Sequence, residues 1–310
     1  MIILKNLKLI LIVIVILFNY KSSLAVENKI IIKVNNEIIT SIDISKEVNY
    51  LKIFNPSIEK LEKEKVFSIS KNSLIRDKIK QITLLKFIDK IYLEEKYLNE
   101  LISSLYKRKN LNNLDEYKLF LKKNNLDLDY IKKKITIERL WNEMIFQKFN
   151  NKVKINKEQI KNEILKNPDE ELLLSEILIS KLKKDLLIKK YQKIEIDIQK
   201  DGFKNAALIH SISDSSKNGG TIGWINKNSL NKSILKELSK IKIGEYTRPI
   251  LTPSGYLILK IENVKKNQTN ATDLDNKINR AIRLKTNQQL NQYSNIYLNK
   301  LMKDMVINEL

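Results

Sequence analysis

The sequence predicts an α+β protein made of two unlike parts: a mainly helical unit composed of N- and C-terminal segments, and a βααβαββ unit inserted between them. Three observations predict it. All six glycines of the 310 residues, Gly202, Gly219, Gly220, Gly223, Gly244 and Gly255, lie within 202–255. Glycine reaches φ > 0 without the cost other residues bear, so tight turns belong to that window. Outside it, apolar residues recur at steps of three and four, the spacing of one helix face. Around it they form short runs bounded by turn residues, the pattern of strands.

The first element is a targeting segment. Lys5 and Lys8 precede an apolar run from Leu9 to Phe18, and Ser23-Leu24-Ala25 sets small residues where a signal peptidase reads. Residues 1–25 are therefore expected to be a signal peptide cleaved after Ala25, leaving no stable membrane insertion. An uncleaved anchor is the alternative, although the apolar run is shorter than the ~20 residues that span a bilayer comfortably. With no cysteine and one histidine, His210, disulfides, thiol catalysis and a histidine-rich metal site are excluded. The formal charge is +21, yet only six of 57 basic residues are arginine. Nucleic-acid recognition leans on arginine's planar fork, and export removes the chain from most nucleic acid, so none is expected as a partner. There is no P-loop-like glycine run, and no metal, nucleotide or organic cofactor is expected.

Residues 26–168 follow as a helical domain. "IIIKVNNEIIT" (30–40) reads as a small hairpin about Asn35-Asn36. Ile75, Ile79, Ile82 and Leu85 share one helix face. Asn113 and Glu116 fit a capping box before Tyr117 and Phe120, and Asp127 caps a helix carrying Tyr130, Ile137, Trp141 and Met144. The inserted unit spans 170–264. Its first strand is "LLLSEILIS" (172–180); a helix follows with Leu187, Tyr191, Ile194 and Ile198 on one face, then a helix over 203–211. The glycine turns, a short helix near 231–239 and two strands about Thr252-Pro253-Ser254-Gly255 complete it. A polar linker is expected at 265–273. Residues 274–310 hold a closing helix, 274–306, whose stripe of Leu290, Tyr293, Tyr297 and Leu301 must pack on something, the N-terminal helices being the obvious partner. In this reading the inserted module projects from the composite unit.

"LSEILIS", "GFKNAALIHSISDSSKNGGTIGWI", "IKIGEYTRPI" and "TPSGYLILKI" together resemble a parvulin-type peptidyl-prolyl isomerase domain, with the Gly219-Gly220…Gly223-Trp224, Gly244-Glu245…Pro249 and Ser254-Gly255 steps in family order. The flanks, with "VNNEIITSIDI" and the long closing helix, resemble the SurA-type periplasmic chaperones, whose family folds outer-membrane proteins. There is room here for one parvulin domain.

The resemblance implies an apolar substrate cup at Ile222, Leu230 and Ile234, with Leu257 beside it; ordinary core packing is the alternative reading of these residues. It implies catalytic positions at Glu176, Ser213, Thr252 and Ser254. Here the sequence departs from the family. Glu176 and Leu257 stand where two histidines face each other across the sheet, and Ser213 where a cysteine or aspartate stands. Asp214 is expected to substitute partly for that missing acid. Glu176 shares its strand face with Leu174 and Leu178, which predicts desolvation and a raised pKa; with Leu257 opposite, it is expected to lack a partner across the sheet, which favours a tolerated polar residue over a replacement acid. His210 is expected to be a packed or surface histidine.

Two functions follow as expectations. The first is a periplasmic chaperone binding unfolded outer-membrane or other exported proteins, its isomerase weak or lost. The second is an active peptidyl-prolyl isomerase, cleaved or membrane-anchored.

Overall fold

The computed structural model describes residues 28–166, 169–267 and 274–310. The expected signal peptide and most of the expected linker lie outside the described residues. Strands β1 (Ile30–Val34) and β2 (Glu37–Thr40) pair antiparallel about Asn35, whose left-handed φ of 51° asparagine tolerates. Thr40 then caps α1 (Ser41–Phe54) in a reciprocal box with Asp43. Next come α2 (Lys63–Leu84), α3 (Glu95–Arg108) and α4 (Leu114–Lys123). The Asn113 side chain caps α4 as expected, but Glu116 reaches past it to the Asn112 N–H at 2.9 Å. Asp127 caps α5 (Leu128–Phe149), and α6 (Lys157–Lys166) ends this part.

The inserted unit runs β3 (Asp169–Ile179), α7 (Lys184–Asp201), α8 (Phe203–His210), β4 (Thr221–Asn226), α9 (Lys232–Leu238), β5 (Ile250–Thr252) and β6 (Gly255–Asn267). This is the predicted order. The sheet is antiparallel, ordered β4-β3-β6-β5. Both long strands exceed their expected bounds: β3 takes in Asp169–Glu171 and β6 takes in Lys265–Asn267, paired with one another. A polar run read as linker thus continues the ladder, because backbone pairing asks nothing of side-chain polarity. On one face Ile177, Ile179 and Ile258 pack on α7 and α8 through Ile194, Phe203 and Ala207. On the other, Leu174 and Leu259 pack against Ile234 of α9.

The closing helix α10 (Leu274–Asp304) returns to the N-terminal part. Its Leu298 joins Ile32, Val34, Ile79, Ile137 and Trp141 in one core, flanked by Leu290, Tyr297 and Leu301. Trp141 is fully buried, stacks on Tyr297 at 5.9 Å, and donates its indole N–H to Ser294 Oγ at 2.8 Å. The helix ends at Asp304, not 306, and β7 (Ile307–Glu309) adds to the hairpin in the order β2-β1-β7.

The inserted module does not project; it is docked on two sides. On one, Lys65 of α2 bridges Asp197 and Asp201 at 3.0 and 2.8 Å, and Leu208 enters a cluster with Leu51, Ile58 and Ile69. Beside it, Arg76 and Lys80 of α2 reach Asp214 at 2.8 and 3.1 Å, and Lys217 reaches Asp77 at 2.7 Å. Lys80 is wholly buried, also paired with Glu138 and set over the Trp141 ring. A buried ammonium needs such partners, since desolvation alone costs several kcal/mol, roughly. On the other side, α6 and α10 pack together through Ile160, Ile164 and Ala281 and come against the module's open sheet face.

Candidate functional site

Along β3 the side chains of Leu174, Glu176 and Leu178 alternate onto the face opposite α7 and α8. There a cleft of about 640 Å³ is lined by Glu176, Ile222, Leu230, Ile234, Thr252, Ser254 and Leu257. The structure thus brings together seven of the positions singled out in the sequence. The eighth, Ser213, is buried behind Glu176. Leu174, Leu178, Ile225 and Leu259 complete an apolar floor. β4 carries Ile222 and α9 carries Ile234; Asn231 holds the start of α9 by accepting from the Ile234 N–H at 2.8 Å.

Glu176 is not without partners. The hydroxyls of Ser213 and Ser215 donate to its Oε1 at 2.6 and 2.8 Å. They come from the turn after α8, not from across the sheet, where the register sets Leu259 opposite Glu176 and Leu257, expected there, opposite Leu178. Burial pushes the carboxyl up from its ordinary value; the two serine bonds oppose that shift and the Asp214 charge adds to it. The Glu176 backbone is fixed too, its N–H donating to the Gly220 carbonyl at 2.7 Å.

Asp214 does not substitute for the missing acid. It points away from the cleft into Arg76 and Lys80, and although burial opposes ionisation, Lys80 and Arg76 hold it well below the usual carboxylate range. Alternate residues of one turn therefore face opposite ways, 213 and 215 to Glu176 and 214 to α2. Arg76 also donates to the Ser213 carbonyl at 3.4 Å. Thr252 donates to the Gly255 carbonyl at 2.8 Å and so closes its own turn. Ser254 makes a long bond, 3.5 Å, to the Gln292 carbonyl of α10.

His210 lies outside the cleft, packed as expected. Lys190 can only donate and an ionised Asp197 only accept, so Nδ1 accepts from Lys190 at 3.0 Å and Nε2–H donates to Asp197 at 2.7 Å. Burial and the Lys190 charge bring its pKa down to about 4.

The second wall was not foreseen. Lys154, Ile155 and Gln159 before and on α6, and Gln288, Gln292 and Asn295 of α10, close the cleft opposite the cup. The amide-rich run "TNQQLNQYSN" (286–295) held a signal, since 288, 292 and 295 share a helix face. Ser215 could have been found from its two-residue spacing to Ser213. Arg76 and Lys80 had no local signal.

Residues 164–263 match the rotamase family, described as the PPIC-type PPIASE domain. The chain is 24% identical over 192 residues to the chaperone SurA of Pseudomonas putida, covering 58% of this chain and 45% of that protein. It is 26% identical over 269 residues to the foldase protein PrsA of Staphylococcus epidermidis, covering 80% of this chain and 77% of the other. Among solved structures it is similar to one from a study of two structurally related SurA-like chaperones of Campylobacter jejuni, with 17% identity, a TM-score of 0.38, and 91% and 99% of the two chains covered. The chain spans about half the length of the curated SurA relatives it matches. Residues 164–263 thus belong to the PPIC-type rotamase family, and the chain that carries them, a parvulin domain set between helical segments, is similar to the SurA chaperones and the PrsA foldases.

Proposed function

We propose that this protein is a periplasmic folding helper that binds unfolded exported polypeptides, outer-membrane proteins among them, and holds their prolyl segments in the cleft with weak isomerase activity or none. One observation carries the reading: the apolar cup is assembled and open, whereas the polar groups beside it are Glu176 with its two serines, Thr252, which closes its own turn, and Ser254, which bonds to α10. Burying a prolyl ring needs only the cup. Acceleration needs groups that favour the twisted amide over the planar one, against an uncatalysed barrier of ~18–20 kcal/mol. Holding extended chains through many apolar contacts needs no ATP. Among the described residues no helix is long and apolar enough to cross a membrane.

The test is light scattering from an unfolded porin diluted into buffer with the purified protein. Slower aggregation at a few-fold excess is expected; aggregation matching the blank overturns the reading.

A second reading, an active isomerase, is favoured by Glu176 itself. Its carboxyl, whose pKa burial raises against the opposing bonds from Ser213 and Ser215, lies beside the apolar cup, where it can act on the prolyl amide as conjugation is lost. A protease-coupled assay on an Ala-Pro peptide decides. A rate above the blank that falls ~10-fold or more in Glu176→Gln establishes catalysis through this group; a rate equal to the blank removes it. Cell fractionation with the mass of the mature chain separates a cleaved periplasmic protein from an anchored one.

A further inference from the structure

The α10 wall carries amides where a merely protective lid would carry apolar side chains. Asn295 is 6% exposed and lines the cleft, and its Oδ1 is buried with no hydrogen-bond partner among the described residues. Leaving a buried amide oxygen unpaired is costly, so such a group marks a place where a partner arrives. Gln288 and Gln292 line the cleft on the same helix face. From 288 to 295 the helix advances about 10 Å, which matches roughly three residues of an extended chain.

The same helix shows how it grips extended backbone. One position from Gln288, the Gln289 side chain pairs with both main-chain groups of Lys154: its Oε1 accepts from the N–H at 2.9 Å, and its Nε2 donates to the carbonyl at 2.8 Å. A carboxamide reproduces the donor and acceptor of a peptide group and suits any sequence. Across the cleft stands the apolar cup of Ile222, Leu230 and Ile234, with Glu176 on the floor and Lys154, Lys232 and Lys285 also among the lining residues.

We propose that Gln288, Gln292 and Asn295 form the backbone-binding wall of a composite peptide site, whose occupant is an extended polypeptide segment with a proline ring in the cup. The inference rests on the prolyl-binding reading of the cleft. Asn295 Oδ1 accepts a main-chain N–H next to the proline, and the site therefore selects extended, proline-bearing segments with little regard to flanking side chains. The parvulin domain supplies half the site and the closing helix the other half.

The experiment uses the whole chain and fluorescence anisotropy with a fluorescein-labelled peptide containing Ala-Leu-Pro-Phe, its proline-to-alanine version, and a version with the amide N–H nearest the proline replaced by an ester oxygen. Asn295→Ala and Gln292→Ala are each expected to weaken binding about three- to tenfold. The ester is expected to weaken binding to the parent protein by a similar factor and to cause little further loss in Asn295→Ala, the coupling that a purely structural role does not produce. Gln292 is only partly buried, so its variant keeps the test valid should Asn295→Ala unfold. If Ile222→Asp abolishes binding while both α10 variants and the ester bind as the parent does, the wall is overturned and the prolyl cup stands. If proline and alanine peptides bind alike and Ile222→Asp changes nothing, the prolyl cup falls and the proposal with it.

Discussion

At Gly220 the backbone takes φ +77°, and a Cβ there would sit 2.2 Å from the Glu176 carbonyl oxygen. The conformation alone costs a non-glycine residue ~1–3 kcal/mol, and the overlap is with backbone that cannot swing aside. Gly220→Ala is therefore expected to destabilise the inserted unit by at least about 2 kcal/mol in urea unfolding, and to weaken whatever depends on Glu176, whose N–H bonds to the Gly220 carbonyl. His210 offers a test in pH. Its folded pKa of about 4 lies below the ordinary histidine value of 6.5, so on acidification the unfolded chain takes up its proton first. Stability is thus fully present above about 6.5 and lost as pH falls toward about 4. Unfolding midpoints measured across that window should fall in the parent and fall less steeply in His210→Gln. At this scale the sequence told part of the story. Strand alternation was enough to foresee a desolvated Glu176, because its neighbours Leu174 and Leu178 are local. Its serine partners lie 37 and 39 positions away, and nothing in the strand points to them.

Helices and long strands were legible because each repeats its own period over many residues: Ile75 and Ile79 on α2, Ile137 and Trp141 on α5, and Leu290 and Tyr297 on α10 all face the shared core. The closing strand was not. Ile307–Glu309 is three residues long, too short for a period, and it is a strand only because β1 offers an open edge. Its ladder includes Asn35 N–H to the Val306 carbonyl at 2.8 Å and Leu310 N–H to the Ile31 carbonyl at 3.0 Å. Ending the chain at Met305 is expected to speed hydrogen exchange at Asn35 and to leave the amides of α5 near Trp141 protected. Equal protection of Asn35 in both forms would show that β7 contributes nothing to the hairpin.

Across the whole molecule, the sequence misled on arrangement while serving well on content. The composite core was foreseen from a stripe that had to be buried; the docking of the module was not, because Arg76 and Asp214 are 138 residues apart and each is an unremarkable charge locally. Removing one partner of a buried pair costs ~3–5 kcal/mol by stranding the other. Asp214→Asn leaves Arg76 facing no carboxylate and Lys80 with Glu138 alone. It should lower the unfolding temperature and raise exchange over 213–219 and along α2 together, whereas a change confined to 213–219 would mean that docking does not depend on this contact. The union of β1 with β7 bears on timing during synthesis. Asn35 and the Val306 amide that it captures stand 271 residues apart, so the front hairpin gains its third strand only after all the residues between them have been made. The parvulin-type module, whose sheet draws on a far shorter stretch, is free to mature earlier, and a nascent chain halted before α10 would present a finished cup with the α10 part of its opposite wall still missing.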